Sequence, residues 1–395
     1  MASQEILREE PSRGSFINDP KIRSLFFQTL VIVLLFGSIW WIVHNVIDNL
    51  QRLHIASGFQ FLRGRAGFDI SDTPIAYTSD STYGRALLVG LLNTIIIAVA
   101  GVITATIIGF IIGIGRLSQN WLIRKICTVY VEVFRNIPPL LVIFFWYSGV
   151  LAVLPPPRES YHLPFGSFLN QRGFYFPRVL WGEGSWLIPV AFLVAVAMAW
   201  FVAHRARQRQ MATGQQFPVL WTSVALIVGL PVLAFLLSGM PLTFDFPKQS
   251  TFNLTGGFQV KPEFLSLYMA LSCYTAAFIA EIVRAGIRGV SKGQTEAAGA
   301  LGLRSGPILR LVVVPQAMRI VIPPLTSQYL NLTKNSSLAI AIGYPDLTAT
   351  AGTVLNQTGQ AVEGVLIMMI AYLVLSLVTS AVMNVVNARM ALVER

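Results

Sequence analysis

Residues 289–319 read GVSKGQTEAAGALGLRSGPILRLVVVPQAMR and separate two long apolar segments. The run EAA at 296–298 is followed after three residues by Gly302, and after nine more by the run VVVP at 312–315. A short helix through 295–301 would place two small alanines side by side, and Gly302 would end it in a left-handed conformation. The pattern predicts a surface helix that a groove of another protein can cover.

The composition places the chain in a lipid bilayer. Its 395 residues are 54% hydrophobic and 12% charged, whereas soluble domains carry about 25% charged residues. The net charge of +11 does not indicate nucleic acid, because the 29 Lys and Arg lie mostly in short loops without a basic stripe. Cys127 and Cys273 have no CxxC spacing, and the histidines are scattered. We expect no nucleic-acid partner, no metal site and no catalytic site.

Apolar windows long enough to form spanning helices recur along the whole chain, since one span needs about 20 residues. In the second window, Gly109 and Gly113 have the GxxxG spacing that allows close helix packing. We expect an all-α membrane protein with about eight transmembrane helices. The windows are 25–47, 86–115, 137–154, 186–203, 218–238, 264–285, 308–342 and 362–386.

The distribution of positive charge predicts the orientation. Eighteen Lys and Arg lie in the tails and loops on one side of the predicted spans, and nine lie on the other. Because cytoplasmic loops carry the excess of Lys and Arg, both termini and the loop at 289–315 are predicted to be cytoplasmic. The first apolar window is too long for a signal peptide and is expected to remain as a helix.

The seventh window, 308–342, is longer than one span needs. It contains Pro315, Pro323 and Pro324, and the polar run NLTKNSS at 331–337. These features predict a broken helix. Irregular backbone at membrane depth persists only where protein or a wet cavity satisfies its polar groups, so the break is a candidate lining of a transport pathway.

Several polar residues in the sixth and seventh windows are candidates for that pathway. A charge such as Lys334 at mid-bilayer costs at least about 2.5 to 3.5 kcal/mol unless it finds water or a partner. Lys334 either offers donors to a carboxylate in the pathway, or holds the broken helix through backbone carbonyls or snorkels to the outer interface. It could also do both. Glu281 with Arg284, and Glu132 with Arg135, are expected to form ion pairs one turn apart. The candidate pathway residues are Tyr274, Glu281, Asn331, Lys334, Asn335, Ser336 and Ser337.

The spacing at 296–315 resembles the EAA loop of ABC importer permeases, EAA-x3-G-x9-I-x-L-P, with Val in place of Ile and Leu. The resemblance covers about half of the chain, roughly 86–150 and 262–390. Flanking runs are similar to those of polar amino acid permeases: GLLNTIIIA at 90–98, YVEVFRNIPPLL at 130–141, YTAAFIAEIVRAGIRGVSKGQ at 274–294 and PQAMRIVIPPLTSQYLNLTKNSSL at 315–338.

The resemblance implies a type I importer core of five helices, with one added N-terminal span and two inserted spans. This enlarged layout resembles the Q-type subunits of general L-amino-acid transporters of proteobacteria, which work beside a distinct permease chain. The expected divisions are 1–85 with the tail, first span and periplasmic loop, 86–154 with the first part of the core, 155–261 as the insert, and 262–390 with the second part and the coupling loop 289–315.

The same resemblance implies the partners. None of the six lysines follows a glycine, so the chain has no P-loop, and ATP and Mg are expected in a separate ABC ATPase dimer. The other expected partners are a second permease subunit, a periplasmic amino-acid-binding protein and the amino acid it delivers. The second permease is either a paralogue, which the enlarged layout favours, or a second copy of this chain. Docking of the ATPase is implied for Gly293, Gln294, Glu296, Ala297, Ala298 and Gly302.

The location implied is the bacterial inner membrane. Three other interpretations remain open from the residues alone. The first is a secondary transporter driven by an ion gradient, which would not need the EAA spacing. The others are a structural or exporter subunit of an ABC complex, and an ABC permease for another small polar solute.

Overall fold

The structure, a computed structural model, describes residues 20–52, 58–250 and 253–390. The polar tail before residue 20 and the last five residues, which entered the charge count, lie outside this range. Within it, seven helices are long and apolar enough to cross a membrane, or eight if one bent pair forms a single span. The prediction of about eight spans is confirmed. The helices are α1 Pro20–Arg52, α2 Tyr83–Gly115, α3 Trp121–Asn136, α4 Pro139–Phe144, α5 Leu187–Thr213, α6 Val219–Leu237, α7 Pro262–Arg288, α8 Lys292–Ala300, α9 Ser305–Ile308, α10 Val314–Asn335, α11 Leu347–Thr358 and α12 Ala361–Met390.

Helices α2 and α7 form the centre of the membrane core, and α4 and α10 pack against them. A Cβ atom built on Gly109 would lie 2.6 Å from the Cβ of Ile279. One built on Gly113 would lie 2.7 Å from the carbonyl oxygen of Ala280. Real Cβ atoms do not approach so closely, so the GxxxG spacing serves the packing of α2 against α7 within this chain.

The third predicted span, 137–154, is not a simple helix. Pro138 and Pro139 leave Ile137 extended, because the residue before a proline avoids the helical region. Helix α4 begins at Pro139, as the prolines predict, and continues through a π-helical stretch to Leu151. It is bent by 112° from the preceding amphipathic helix α3. Residues 121–136, which lie between the second and third predicted windows, therefore form a helix of their own. The helical part of the third window runs only from Pro139 to Leu151.

The predicted break of the seventh span at its prolines is wrong. Pro323 and Pro324 lie inside the continuous helix α10, which packs against α7 and α12. This packing supports the helix where the prolines remove two backbone donors. The helix type changes only at the two ends, to a π-helical stretch at Leu309–Val313 and to a 3-10 helix at Ser336–Ile342. The polar run at 331–337 therefore marks a change of helix type.

The insert between α4 and α7 contains short strands as well as helices, which the all-α prediction did not include. Phe174 pairs with Val260, which brings the two ends of the insert together. All pairings are antiparallel, in the orders β1-β2-β3-β8, β4-β5 and β6-β7. The strands are β1 Tyr161–Leu163, β2 Ser167–Asn170, β3 Gly173–Phe176, β4 Arg178–Trp181, β5 Leu242–Asp245, β6 Lys248–Gln249, β7 Leu254–Thr255 and β8 Phe258–Val260.

Candidate coupling and substrate-pathway sites

The EAA-like loop folds as helix α8, and its last turn ends as the sequence predicts. Gly302 has φ of 79°, in the left-handed region. Its N–H donates to the carbonyl of Gly299 over 2.9 Å, and the N–H of Leu303 donates to the carbonyl of Ala298 over 3.3 Å. This pair of bonds is a Schellman motif. A Cβ at position 302 would meet no atom of the described residues within 4 Å, so the backbone conformation, and not lack of space, favours glycine there.

Helix α8 presents small side chains outward. Ala298 is buried, and α8 packs against α9 and the π-helical stretch that leads into α10. Glu296 and Ala297 are exposed, as are Gly293 and Gln294 one turn earlier. All the docking candidates except Ala298 therefore lie on or beside one accessible surface. The following Leu301 is 82% exposed, which is unusual for a leucine outside a membrane span and which the motif did not single out.

An ion network ties together the ends of three helices near this loop. The carboxylate of Glu281 accepts from Arg284 Nε over 3.0 Å and from Arg284 Nη2, which confirms the predicted pair. It also accepts from Nη1 of Arg116, at the end of α2, which the sequence analysis did not single out. Nη2 of Arg116 in turn lies 3.8 Å from Oε1 of Glu132 on α3. The network holds α2, α3 and α7 in one arrangement.

The predicted pair between Glu132 and Arg135 does not form. Glu132 faces Arg116, and the guanidinium of Arg135 lies over the ring of Phe278, 5.7 Å from its centroid. The i, i+3 spacing allows such a pair on one helix, but here both side chains turn toward other helices. Glu281 is likewise engaged by two arginines and does not line the cavity described next.

A cavity of about 230 Å³ lies where the start of α4 meets α7 and α10. It brings together three of the predicted pathway residues, Tyr274, Asn331 and Asn335. Gln328, one turn before Asn331, adds a third carboxamide, and its role was not predicted. Amide and hydroxyl groups beside aromatic rings can hydrogen-bond a small polar solute. The lining residues are Pro139, Tyr274, Thr275, Phe278, Gln328, Asn331 and Asn335.

The remaining pathway candidates lie outside this cavity. Ser336 is buried, and its hydroxyl donates to the carbonyl of Thr333 over 2.8 Å. Lys334 is exposed, and within the described residues its ammonium group makes no hydrogen bond or ion pair. Among the described residues, the Lys334 ammonium group therefore does not bind backbone carbonyls, and the hypothesis that Lys334 holds the helix in this way is wrong. Its own carbonyl instead accepts from the hydroxyl of Ser337 over 2.7 Å.

Lys334 belongs to a polar stripe on the face of α10 that points away from the core. Ser327, Asn331 and Lys334 follow one another at spacings of four and three residues, and all three are exposed. Residues three and four apart share one face of a helix. The opposite face, which includes Val321 and Leu325, is buried in the core. One side of α10 therefore packs within this chain, while the other presents polar groups.

At the opposite end of the core, Asp346 caps helix α11. Its Oδ1 accepts from the N–H of Ala349 over 2.8 Å, and its Oδ2 accepts from the hydroxyl of Tyr372 over 3.3 Å. The side chain is fully buried. Burial raises the pKa of Asp346 from 3.8 to about 6, although these hydrogen bonds oppose the change. The sequence showed no sign of this residue's burial.

Comparison with known proteins identifies the family. Residues 209–392 match the family described as "Binding-protein-dependent transport system inner membrane component". The general L-amino acid transport system permease protein AapQ of Rhizobium johnstonii is 64% identical, over 96% of this chain and 95% of the relative. The putative amino-acid ABC transporter permease protein YhdX of Escherichia coli is 49% identical, over 96% of this chain and 97% of the relative.

A third relative, from Rhodobacter capsulatus, is the glutamate/glutamine/aspartate/asparagine transport system permease protein BztB. It is 43% identical, over 98% of this chain and 100% of the relative. The chain thus belongs to the family of binding-protein-dependent permeases, the membrane-spanning subunits of ABC importers. It is a transport subunit and not an enzyme, and the family as a whole works with an ATPase and a binding protein.

Proposed function

We propose that this permease forms one half of the translocation pore of an importer for L-amino acids, with both termini and α8 in the cytoplasm. The observation that carries the substrate class is the near-complete alignment with three relatives whose names all specify amino acids. The cavity beside α10 supports it, because its carboxamide groups can pair with the ammonium and carboxylate groups common to every amino acid. The excess of Lys and Arg on the α8 side supports the orientation.

The second half of the pore is, in this proposal, a paralogous permease chain. The polar stripe of Ser327, Asn331 and Lys334 faces away from the core, and polar groups at membrane depth require a partner or water. A second subunit facing this stripe would enclose an aqueous path between the two chains. The enlarged layout, with α1 and the α5–α6 hairpin added to the core, supports a partner that differs from this chain.

Transport in this scheme proceeds by alternating access driven by the partner ATPase, which holds ATP and Mg. Closure of the ATPase dimer would move α8, which packs against the π-helical stretch leading into α10. The ion network around Glu281 would let α2, α3 and α7 move as one body. A movement at α8 would in this way reach the cavity that α7 and α10 line.

The docking part of the proposal is tested with Ala297→Gln, which places a long side chain on the exposed surface of α8. A matched control is Ala388→Gln, because Ala388 is also an exposed alanine, near the end of α12 and on the same side of the membrane. We expect Ala297→Gln to reduce co-purification of the ATPase and ATP-dependent uptake, and Ala388→Gln to leave both unchanged. Full ATPase binding by Ala297→Gln would overturn the docking role.

The pathway part is tested by uptake of labelled amino acids into proteoliposomes that contain the whole importer. We expect Asn331→Ala and Lys334→Ala to reduce uptake while the complex still assembles, as judged by size-exclusion chromatography. The control is Lys248→Ala, on an exposed strand of the insert. Normal uptake by both variants would refute the assignment of the stripe, and uptake that is inhibited by sugars but not by amino acids would refute the substrate class.

A further inference from the structure

The inner end of helix α5 carries a concentrated positive charge. Its first 17 residues, 187–203, contain no charged side chain, and the run HRARQRQ follows at 204–210. Seventeen helical residues rise about 26 Å, close to the thickness of the hydrocarbon core of a bilayer. The arginines of this run therefore lie at the level of the lipid headgroups.

No acidic side chain balances this charge on the hairpin. Residues 184–244, which include all of α5 and α6, contain no Asp or Glu. Among the described residues, the two helices pack extensively only against each other. Within the described part of the chain, neither Arg205, Arg207 nor Arg209 forms an ion pair. Three positive charges thus remain available at the membrane surface.

Two of these arginines line a cavity of about 550 Å³ between the end of α5 and the start of α6. Arg205 and Arg209 are one turn apart and share its wall, whereas Arg207 points elsewhere on the helix. Arg209 Nη2 donates to the side-chain oxygen of Gln215 over 3.1 Å, which holds the guanidinium in place. Phe201 and Phe217 form an apolar part of the same wall. The cavity therefore combines two guanidinium groups with an apolar surface.

Tryptophans mark the depth of this cavity. Trp200 on α5 directly precedes the lining residue Phe201, and Trp221 on α6 follows the lining residue Phe217 by four positions; the two tryptophans are 69% and 74% exposed. Exposed tryptophan concentrates at the boundary between hydrocarbon and headgroups, where its ring is apolar and its N–H can meet water. The cavity thus opens at the depth where the phosphate of a phospholipid lies.

We propose that this cavity binds the headgroup of an anionic phospholipid, with its phosphate held by Arg205 and Arg209. Guanidinium groups pair with phosphate through two parallel hydrogen bonds, and the apolar wall suits the first part of the acyl chains. Basic pockets between helices on the cytoplasmic side are suited to anionic headgroups. Chain alternation places the α5–α6 turn on the same side of the membrane as α8. The bound lipid would fasten the hairpin, which has few other contacts within the described residues, to that leaflet.

The test measures the affinity of the purified importer for fluorescent phosphatidylglycerol in detergent, with phosphatidylcholine as the uncharged comparison. The double variant R205Q/R209Q removes the charges that line the cavity, and R207Q removes a charge of the same helix that does not. Each basic residue near an anionic surface contributes about 1 kcal/mol. We expect about 30-fold weaker phosphatidylglycerol binding for the double variant and at most a few-fold change for R207Q.

An unchanged melting temperature of the double variant in phosphatidylcholine nanodiscs would show that the hairpin remains folded. R205K/R209K should recover part of the affinity, because it keeps the charge without the planar fork. Equal losses of phosphatidylglycerol affinity for R207Q and the double variant would overturn the assignment of the lipid to this cavity. Equal affinity for phosphatidylcholine would do the same. Unchanged phosphatidylglycerol binding together with loss of an acidic protein from the purified complex would show that the arginines serve a protein partner instead.

Discussion

Substitutions of Gly302, at the end of α8, can show whether ATPase docking depends on the backbone conformation there or on the room available for a side chain. Gly302 has φ of 79°, and a Cβ there would lie more than 4 Å from every other described residue that it could contact, so a substitution strains the backbone without a clash in this part of the chain. A non-glycine residue in the left-handed region costs roughly 1 to 2 kcal/mol, with a β-branched residue at the upper end and asparagine well below it. Gly302→Val and Gly302→Asn therefore differ mainly in conformational cost.

If docking requires the Schellman end of α8, the strain is subtracted from the binding free energy. Gly302→Val should then weaken binding of the purified ATPase by about 5- to 30-fold, and Gly302→Asn by only a few-fold. The assay is a titration of the ATPase onto the detergent-solubilised permease, with the melting temperature of the permease as a control for folding. Equal losses for the two variants would refute the conformational argument, and full affinity in both would remove the end of α8 from the docking surface.

Three further perturbations test other parts of the structure. Gly109→Ala forces a Cβ against Ile279 and should lower the free energy of unfolding, measured in a detergent unfolding series, by about 1 to 3 kcal/mol. Gly229→Ala is the control, because a Cβ there would meet no described atom within 4 Å. Equal losses of unfolding free energy in the two variants would contradict the close packing of α2 against α7. The pKa of Asp346, raised to about 6, means that between about pH 4 and pH 6 the folded state holds a proton that the unfolded state has released. Stability should therefore fall by on the order of 2 kcal/mol as pH rises from about 4 to 6. Asp346→Asn should remove that slope, and a retained slope would assign it to another group. Arg116→Gln should reduce uptake more than ATPase binding, because it removes the ion pair between α2 and Glu281 while leaving α8 intact. Equal losses of uptake and ATPase binding would show that the ion network contributes to ATPase docking.

Local features of this protein follow from sequence because local interactions cause them. The apolar windows predicted the spanning helices, since twenty apolar residues in a row can satisfy their backbone in lipid only as a helix. Gly302 predicted the end of α8 because both hydrogen bonds of that motif lie within six residues of chain. Pro139 predicted the start of α4, where its missing N–H has no intrahelical partner to lose.

The features that the sequence analysis missed arise from contacts between distant residues. Arg116 and Glu281 are 165 positions apart, and no spacing rule connects them. The unbroken course of α10 through Pro323 depends on the packing of α7 and α12 against it. Asparagine at position 331 signalled a polar site, but Gln328 and Phe278 joined that site only when α7 and α10 met.

The sequence by itself therefore determined the class of protein, the number of spans and the form of the coupling helix, because hydropathy and short-range hydrogen bonds act along the chain. Only the tertiary structure decided which polar groups meet in a cavity, which charges are neutralised and which remain free. Glu281 and the arginines of α5 show the difference. All of them are charged groups near a membrane surface. Glu281 is enclosed by two arginines of the packed core, whereas the arginines of α5 lie on a hairpin that packs mainly against itself.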